Sequence, residues 1–241
     1  MKINQDTVNG IIENAKEAKR IYGGLKLDDH FNMCFHLRPT SKGITIVSTL
    51  SDAPMSGKDV PQEKLEETLL VLNENLKRIC GDDTKKALDI LNGIGYKERG
   101  TRTSDLEENI QAGFIKGLLS KQPDYEGIEF VASELALTQG SRFDVVGFKD
   151  GVLYIFELKK GRTFKAMKQV ADYVKLVEEN ESAFRKILSV YPNRAIDSFT
   201  DVKGVAVMEY AMNTTNKLRE EAEKNDVGLW YYEPALCFRK R

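Results

Sequence analysis

Three charged residues stand in a stretch of sequence that is otherwise typical of a buried β-hairpin. The segment 140–160, GSRFDVVGFKDGVLYIFELKK, has two β-rich runs separated by Asp-Gly, which is a strong short-range hairpin signal. Because side chains alternate between the faces of a strand, Glu157 and Lys159 share one face of the second strand. Asp144 points away from its apolar neighbours on the first strand. Charges in a hydrophobic sheet are costly unless they are paired, and a divalent metal ion is one partner that would pair two carboxylates.

Carboxylates on adjacent strands are suited to a hard cation. Oxygen ligands select Mg²⁺ or Mn²⁺, and such an ion would polarise a phosphate and lower the pKa of a bound water. Lys159 is placed to orient that water and to offset charge in the transition state. The alternative is a hairpin with a surface aspartate and a solvated, charged strand end.

The order of these residues resembles a known signature. An Asp, a tight hairpin and then Glu-Leu-Lys at 157–159 resemble the D…(D/E)xK motif of the PD-(D/E)XK nuclease superfamily, which has the restriction-endonuclease-like fold. Gln169 and Tyr173, four residues apart on the helix that follows, resemble the Q-xxx-Y motif of the RecB-like branch. Phe143 stands where the family name has its proline. The resemblance covers residues 104–234.

The resemblance implies an αβββαβ core with a mixed central sheet, a Mg²⁺- or Mn²⁺-dependent nuclease activity on DNA, and a set of site residues. Its implied catalytic residues are Glu107, Asp144, Glu157, Lys159, Gln169 and Tyr173. Its implied metal ligands are Asp144, Glu157, Glu107 and Leu158.

The helix carboxylate has two candidates. LEENIQAGFIKGL, which begins at Leu106, resembles the first core helix of the family, which carries a Glu facing the metal. Periodicity favours Glu107 over Glu108, but Glu107 is also at the capping-box position relative to Ser104. Glu134, on the preceding predicted strand, is a weaker candidate and reads equally well as an edge charge.

Gln169 and Tyr173 share a helix face. In the resembled branch this face looks onto the active site and the DNA backbone. The alternative for this pair is a buried amide hydrogen bond and a core tyrosine.

A basic cluster follows the hairpin and consists of Lys160, Arg162, Lys165 and Lys168. We predict that this cluster binds phosphates. The alternative is that it is a solvated helix start.

Composition limits the remaining choices. The chain has 41% hydrophobic and 30% charged residues, which is ordinary for a globular protein. A net charge of −1 gives no global basic field, so nucleic-acid binding requires a local patch. The sequence has neither GxxxxGK[ST] nor GxGxxG, which argues against nucleotide-binding chemistry. No apolar run is long enough to span a membrane, and the three scattered cysteines fit reduced thiols, so we expect a soluble, cytoplasmic protein.

The predicted elements form two groups. Residues 1–92 are predicted to be an α-β-β-α-α accessory domain, 93–103 a glycine-rich, basic linker, and 104–241 the nuclease-like domain. Periodicity predicts the elements of the first group at 6–22, 30–38, 43–50, 61–79 and 84–91. After Ser104 the predicted order is α-β-β-β-α-(α)-β-α-β, which independently matches the αβββαβ core.

The sequence and the resemblance together predict an α+β protein that hydrolyses DNA with Mg²⁺ or Mn²⁺. The resemblance alone implies a role in defence or in repair. The alternative is a nuclease-like module that binds DNA or a protein without cleavage. RNA as the substrate and a homodimer as the assembly both stay open.

Overall fold

The computed structural model describes residues 3–49, 59–79, 105–138, 140–161, 163–210, 215–232 and 238–240. They form a three-stranded and a six-stranded sheet with helices around both. The first group of elements is α1 (Gln5–Gly24), α2 (Phe31–Cys34), β1 (Phe35–Pro39), β2 (Ile44–Ser48), β3 (Asp59–Val60), α3 (Gln62–Glu74) and α4 (Leu76–Ile79). The second group is α5 (Asp105–Leu119), β4 (Glu129–Thr138), β5 (Ser141–Lys149), β6 (Val152–Lys159), α6 (Lys165–Glu179), α7 (Glu181–Leu188), β7 (Asp201–Glu209), α8 (Thr215–Lys224), β8 (Gly228–Tyr232) and β9 (Phe238–Lys240).

The large sheet has the order β4-β5-β6-β7-β8-β9. β4, β5 and β6 are antiparallel neighbours, β6, β7 and β8 are parallel, and β9 is antiparallel to β8. The step from β6 to β7 is a parallel crossover through α6 and α7, as parallel neighbours require. This mixed α+β architecture, with the order αβββαβ, confirms the predicted fold class.

Helices cover both faces of the large sheet. On one face, Ile110 and Phe114 of α5 pack with Phe156 and Trp230. On the other face, Met167 and Val170 of α6 pack under β7 and β8. The strands between these layers are therefore buried on both sides, which is why β6 reads as a nearly continuous hydrophobic run.

The hairpin between β5 and β6 is present as predicted. Lys149 pairs with Val152, and the turn residues Asp150 and Gly151 have φ values of 49° and 84°. Positive φ at both central positions is what a tight hairpin turn demands and what Asp-Gly tolerates. Side chains alternate along β6, because Ile155 lies in one hydrophobic core and Phe156 in the other.

The small sheet packs beside the large one and shares a helix with it. Leu37 and Ile46 of the small sheet form a core with Leu69 of α3. Helix α1 contributes Ala18 to this core and Val8 to the core of the large sheet. The described elements of residues 3–79 thus pack together, and α1 also contacts the large sheet, while the predicted division into domains stays a prediction. Its predicted boundary at 93–103, and the helix predicted at 84–91, lie outside the described residues.

Two predicted elements of the small unit are corrected. The alternating segment 30–38 is not one strand, because helix α2 precedes β1. Phe31 and Phe35 are both buried, with ring centroids 5.2 Å apart, and this helical spacing outweighs the two-residue alternation. The helix predicted over 61–79 is interrupted at Asn75, whose side-chain amide donates to the Val71 carbonyl.

Two further observations bear on the composition. Cys34 is disulfide-bonded, so the expectation of three reduced thiols is wrong. Among the described helices, none is both long and apolar enough to cross a membrane.

Candidate functional site

The candidate site lies where β5 and β6 separate, at the carboxyl end of β6. Backbone pairing between these strands runs from Lys149–Val152 at the turn to Val145–Phe156. Beyond that pair, the N–H of Leu158 donates to Oδ2 of Asp144 at 2.8 Å. The Asp144 side chain thus replaces the backbone acceptor that a regular ladder would supply.

Glu157 is the most buried charged group of the site. Its side chain is 1% exposed, and its Oε1 lies 2.5 Å from Nζ of Lys159. Its other carboxylate oxygen, Oε2, is buried and has no hydrogen-bond partner within the described parts of the chain. A buried carboxylate oxygen without a donor is costly, so this position favours an added donor or cation.

The surroundings of the two carboxylates disfavour their charged forms. Burial raises the pKa of Asp144 to about 6, although the N–H of Leu158 and the charge of Lys159 oppose this shift. Burial and then the charge of Asp144 raise the pKa of Glu157 to about 7. Burial alone would lower the pKa of Lys159, but the hydrogen bond and charge of Glu157, with smaller help from Asp144, raise it. The arrangement is short of positive charge, and a divalent cation would supply it.

Helix α5 brings its predicted carboxylate to the same place. Oε1 of Glu107, an exposed residue, accepts the N–H of Lys160 at 3.3 Å, and the charge of Glu107 is a minor cause of the raised Glu157 pKa. One turn later, Gln111 donates to the backbone carbonyl of Asp144 at 3.1 Å. The side chain of Glu108 and the capping partner Ser104 lie outside what the structure describes, so the choice of Glu107 stays a prediction.

Helix α6 places Gln169 and Tyr173 beside the carboxylates. Nε2 of Gln169 donates to the Tyr173 hydroxyl at 2.8 Å, and the Tyr173 ring packs against Phe143. Burial, and to a smaller extent the charge of Glu157, raises the pKa of Tyr173. The pair therefore forms a partly buried amide hydrogen bond, close to that of the alternative interpretation, while lying within electrostatic reach of the site.

The predicted basic cluster lies on the surface next to this pair. Lys160, Lys165 and Lys168 are exposed, and the last two line a groove with Ser141 and Gln169. Asp172 also lines this groove. Arg162, the fourth predicted member, lies outside the described residues.

Leu158, the fourth predicted metal ligand, has a buried side chain and can offer only its backbone carbonyl. Within the described ranges, no group of three or more His, Cys, Asp or Glu side chains is arranged to hold a metal ion. The three-carboxylate ligand set therefore stays a prediction. The pair Asp144 and Glu157, with its orphaned Oε2, has donor atoms that fit a hard divalent cation.

Several residues that support the site were not anticipated. Gln111 could have been found, since it lies one helical turn after Glu107. The Tyr232 hydroxyl donates to the carbonyl of Lys159 at 3.2 Å, and Arg38 of the small sheet binds Glu134. Neither contact leaves a local signal, because each joins residues far apart in the chain.

Comparisons with known proteins add little to this geometry. Searches against protein-family models and against curated proteins give no match. Among solved structures, SfsA of Pyrococcus furiosus in complex with Ca²⁺ is similar over 54% of this chain and 57% of that chain, with 13% identity and a TM-score of 0.33. A likeness this low carries no activity over to this chain.

Proposed function

We propose that this protein is a divalent-metal-dependent nuclease that hydrolyses phosphodiester bonds of DNA with Mg²⁺ or Mn²⁺. The observation that carries the proposal is the buried Glu157 carboxylate. It shares one oxygen with Lys159 and keeps the other without a described donor, beside Asp144, at the point where two strands separate. A purely structural ion pair would gain nothing from the second buried carboxylate, which raises the cost of the first.

In this proposal each residue has a distinct task. Asp144 and Glu157 would hold the cation, which when bound would supply Lewis-acid polarisation of a phosphoryl oxygen and of a water. Lys159 donates one hydrogen bond to Glu157, and an ammonium has two further donors for a water or a phosphoryl oxygen. The fixed hydrogen bond from Gln111 to the Asp144 backbone keeps the first carboxylate in place.

The exposed lysines supply the nucleic-acid contacts. Lys160, Lys165 and Lys168 closely follow β6 in the chain and are exposed, so they are accessible to a phosphate backbone. Lysine contacts to phosphates fix orientation without reading sequence. We therefore expect cleavage with little sequence preference unless other residues add it.

A binding module without cleavage is the second candidate. It is favoured by one observation, that the exposed Glu107 carboxylate already accepts the N–H of Lys160 instead of standing free beside Glu157. In that case the protein would bind nucleic acid through the lysines and have no hydrolytic rate.

The two candidates are separated by incubating the protein with duplex DNA, single-stranded DNA and RNA, each with Mg²⁺, Mn²⁺ or EDTA. We expect metal-dependent cleavage of DNA that EDTA stops. RNA cleavage in place of DNA cleavage would change the substrate but not the chemistry. Binding without cleavage on every substrate would favour the second candidate.

A further inference from the structure

A third carboxylate lies on the other side of Asp144 from Glu157. On β4, Ser133 pairs with Val145 and Leu135 with Phe143, so Glu134 lies across from Asp144. Burial is the largest cause of the raised pKa of Asp144, and the charge of Glu134 raises this pKa further. Three neighbouring strands therefore each contribute one carboxylate to this part of the sheet.

The Glu134 carboxylate is bound by an arginine from the small sheet. Nη1 of Arg38 lies 2.6 Å from Oε2 of Glu134, and the two side chains are only 15% and 21% exposed. Nε of Arg38 also donates to Oγ of Ser133 at 3.2 Å. Arg142 is 3.5 Å from the same Glu134 oxygen but is 62% exposed, so water screens it more strongly. Arg38 is thus the close and shielded cation of the two.

The backbone at Glu134 indicates that its position is enforced. Its φ is 48°, in the left-handed region that few residues other than glycine adopt, and it lies inside a strand. Such a conformation persists only where the surroundings hold it. The contacts of Arg38 with Glu134 and with the adjacent Ser133 provide part of that hold.

The small sheet is fixed at the position that Arg38 requires. The side chain of Asn193 accepts the N–H of Leu37 at 2.9 Å and donates to the Leu37 carbonyl at 2.7 Å. It also donates to the carbonyl of Val131 on β4 at 3.2 Å. One side chain therefore ties β1 to β4 immediately before Arg38.

We propose that Arg38 is a positioning residue of the site: by binding Glu134 it keeps this third carboxylate off the cation, so that Asp144 and Glu157 hold a single divalent ion. This inference rests on the proposed function. Without Arg38, the Glu134 carboxylate would keep only the screened ion pair with Arg142 and would stand beside two other carboxylates. It would strengthen the negative potential at the site and add a ligand with the wrong geometry for catalysis.

The test is a calorimetric titration of the full chain with Mn²⁺, together with a cleavage assay. For Arg38→Gln we expect Mn²⁺ affinity to rise by about 10-fold, or a second ion to bind, while cleavage slows by about 10-fold or more. If Arg38 only stabilised the fold, Arg38→Gln would lose Mn²⁺ affinity and cleavage together. Arg38→Lys keeps the charge and should stay near wild type. Arg20→Gln is the control, since it removes an arginine that pairs with Glu17 on the exposed surface of α1.

A variant of Glu134 is the complementary test, and it also tests the proposal if Arg38→Gln does not fold. Glu134→Gln removes the carboxylate that binds Arg38, so the positive charge of Arg38 should act on the site and Mn²⁺ should bind more weakly. The double variant, which removes both charges, should return to within about threefold of the wild-type affinity. Wild-type affinity and one ion in Arg38→Gln, or in Glu134→Gln, would overturn the inference and leave the nuclease proposal standing. A wild-type protein that binds no Mn²⁺ would overturn both.

Discussion

The two ends of the β5–β6 hairpin differ in what holds the strands together. At the turn end, backbone pairs continue to Lys149–Val152, and Asp150 and Gly151 close the hairpin. At the other end the backbone pairing stops, and Asp144 bonds to Leu158 with its side chain. The turn end is stabilised by the backbone and the hydrophobic core. The open end concentrates buried charge, which costs stability, and such costs are typical of functional sites.

The largest effect is expected from neutralising the carboxylates of the open end. Asp144→Asn or Glu157→Gln should reduce DNA cleavage by about 10³-fold or more, because each removes a charge that the cation requires. Both amides are close in shape to the native side chains, so the fold should persist. Initial rates on duplex DNA with Mn²⁺ measure the effect.

The matched control is Glu129→Gln. This residue lies in the same sheet, on β4, but pairs with Phe148 near the turn end, and its carboxylate forms a half-exposed ion pair with Arg194. Its cleavage rate should stay within about twofold of wild type, since exposed ion pairs contribute little. Equal losses in the control and in Glu157→Gln would show that the two ends do not differ in function.

Lys159→Ala separates the ion from the chemistry at the same end. The variant should still bind Mn²⁺, because the ammonium is not a ligand, but it should cleave about 10²–10³-fold more slowly. Single-turnover rates at saturating Mn²⁺ measure this loss. If added metal restores the full rate, Lys159 acts on metal binding and not on the transition state.

The strain at the open end also predicts a pH dependence of stability in metal-free protein. The pKa of Asp144 is raised from 3.8 to about 6 and that of Glu157 from 4.5 to about 7. The folded protein therefore holds protons that the unfolded chain releases. The contribution of these groups to stability is complete below pH 4 and is lost as pH rises to about 7.

This loss is measured by urea unfolding of wild type and of the variant with both Asp144→Asn and Glu157→Gln. Since one pKa unit is about 1.4 kcal/mol, wild type should lose a few kcal/mol relative to the variant between pH 4.5 and 7.5. Burial lowers the pKa of His36, so this residue contributes to the pH dependence of stability in the opposite direction. Its contribution is the same in both proteins, so comparing wild type with the variant removes it. Parallel pH profiles for the two proteins would contradict the raised pKa values.

The smallest effect is expected at the turn end. Gly151→Ala places a Cβ at a φ of 84° and 3.2 Å from Oγ1 of Thr200, so the free energy of unfolding should fall by about 1 kcal/mol. Mn²⁺ affinity should not change. Gly23→Ala, at an open position in the last turn of α1, should be neutral or slightly stabilising. A large loss of Mn²⁺ affinity in Gly151→Ala would show that the two ends are coupled.

The turn end could be read from the sequence, whereas the open end could be read only in part. Asp150-Gly151 and the alternation along β6 are local signals, and the structure confirms the hairpin they predict. Asp144, Glu157 and Lys159 were predicted as a group because they share a hairpin, and they do lie together. The support from Arg38 and Tyr232 was not predictable, since it depends on contacts between distant segments. The alternation in segment 30–38 predicts a single strand, which is wrong because burial of Phe31 and Phe35 at helical spacing outweighs the alternation.

The most direct test of the account is a Mn²⁺ titration of wild type, Asp144→Asn and Glu157→Gln at pH 7.5. Wild type should bind one ion, and both variants should lose this binding while remaining folded. Binding by all three with equal affinity, or by none, would contradict the claim that the buried carboxylate pair is a metal site.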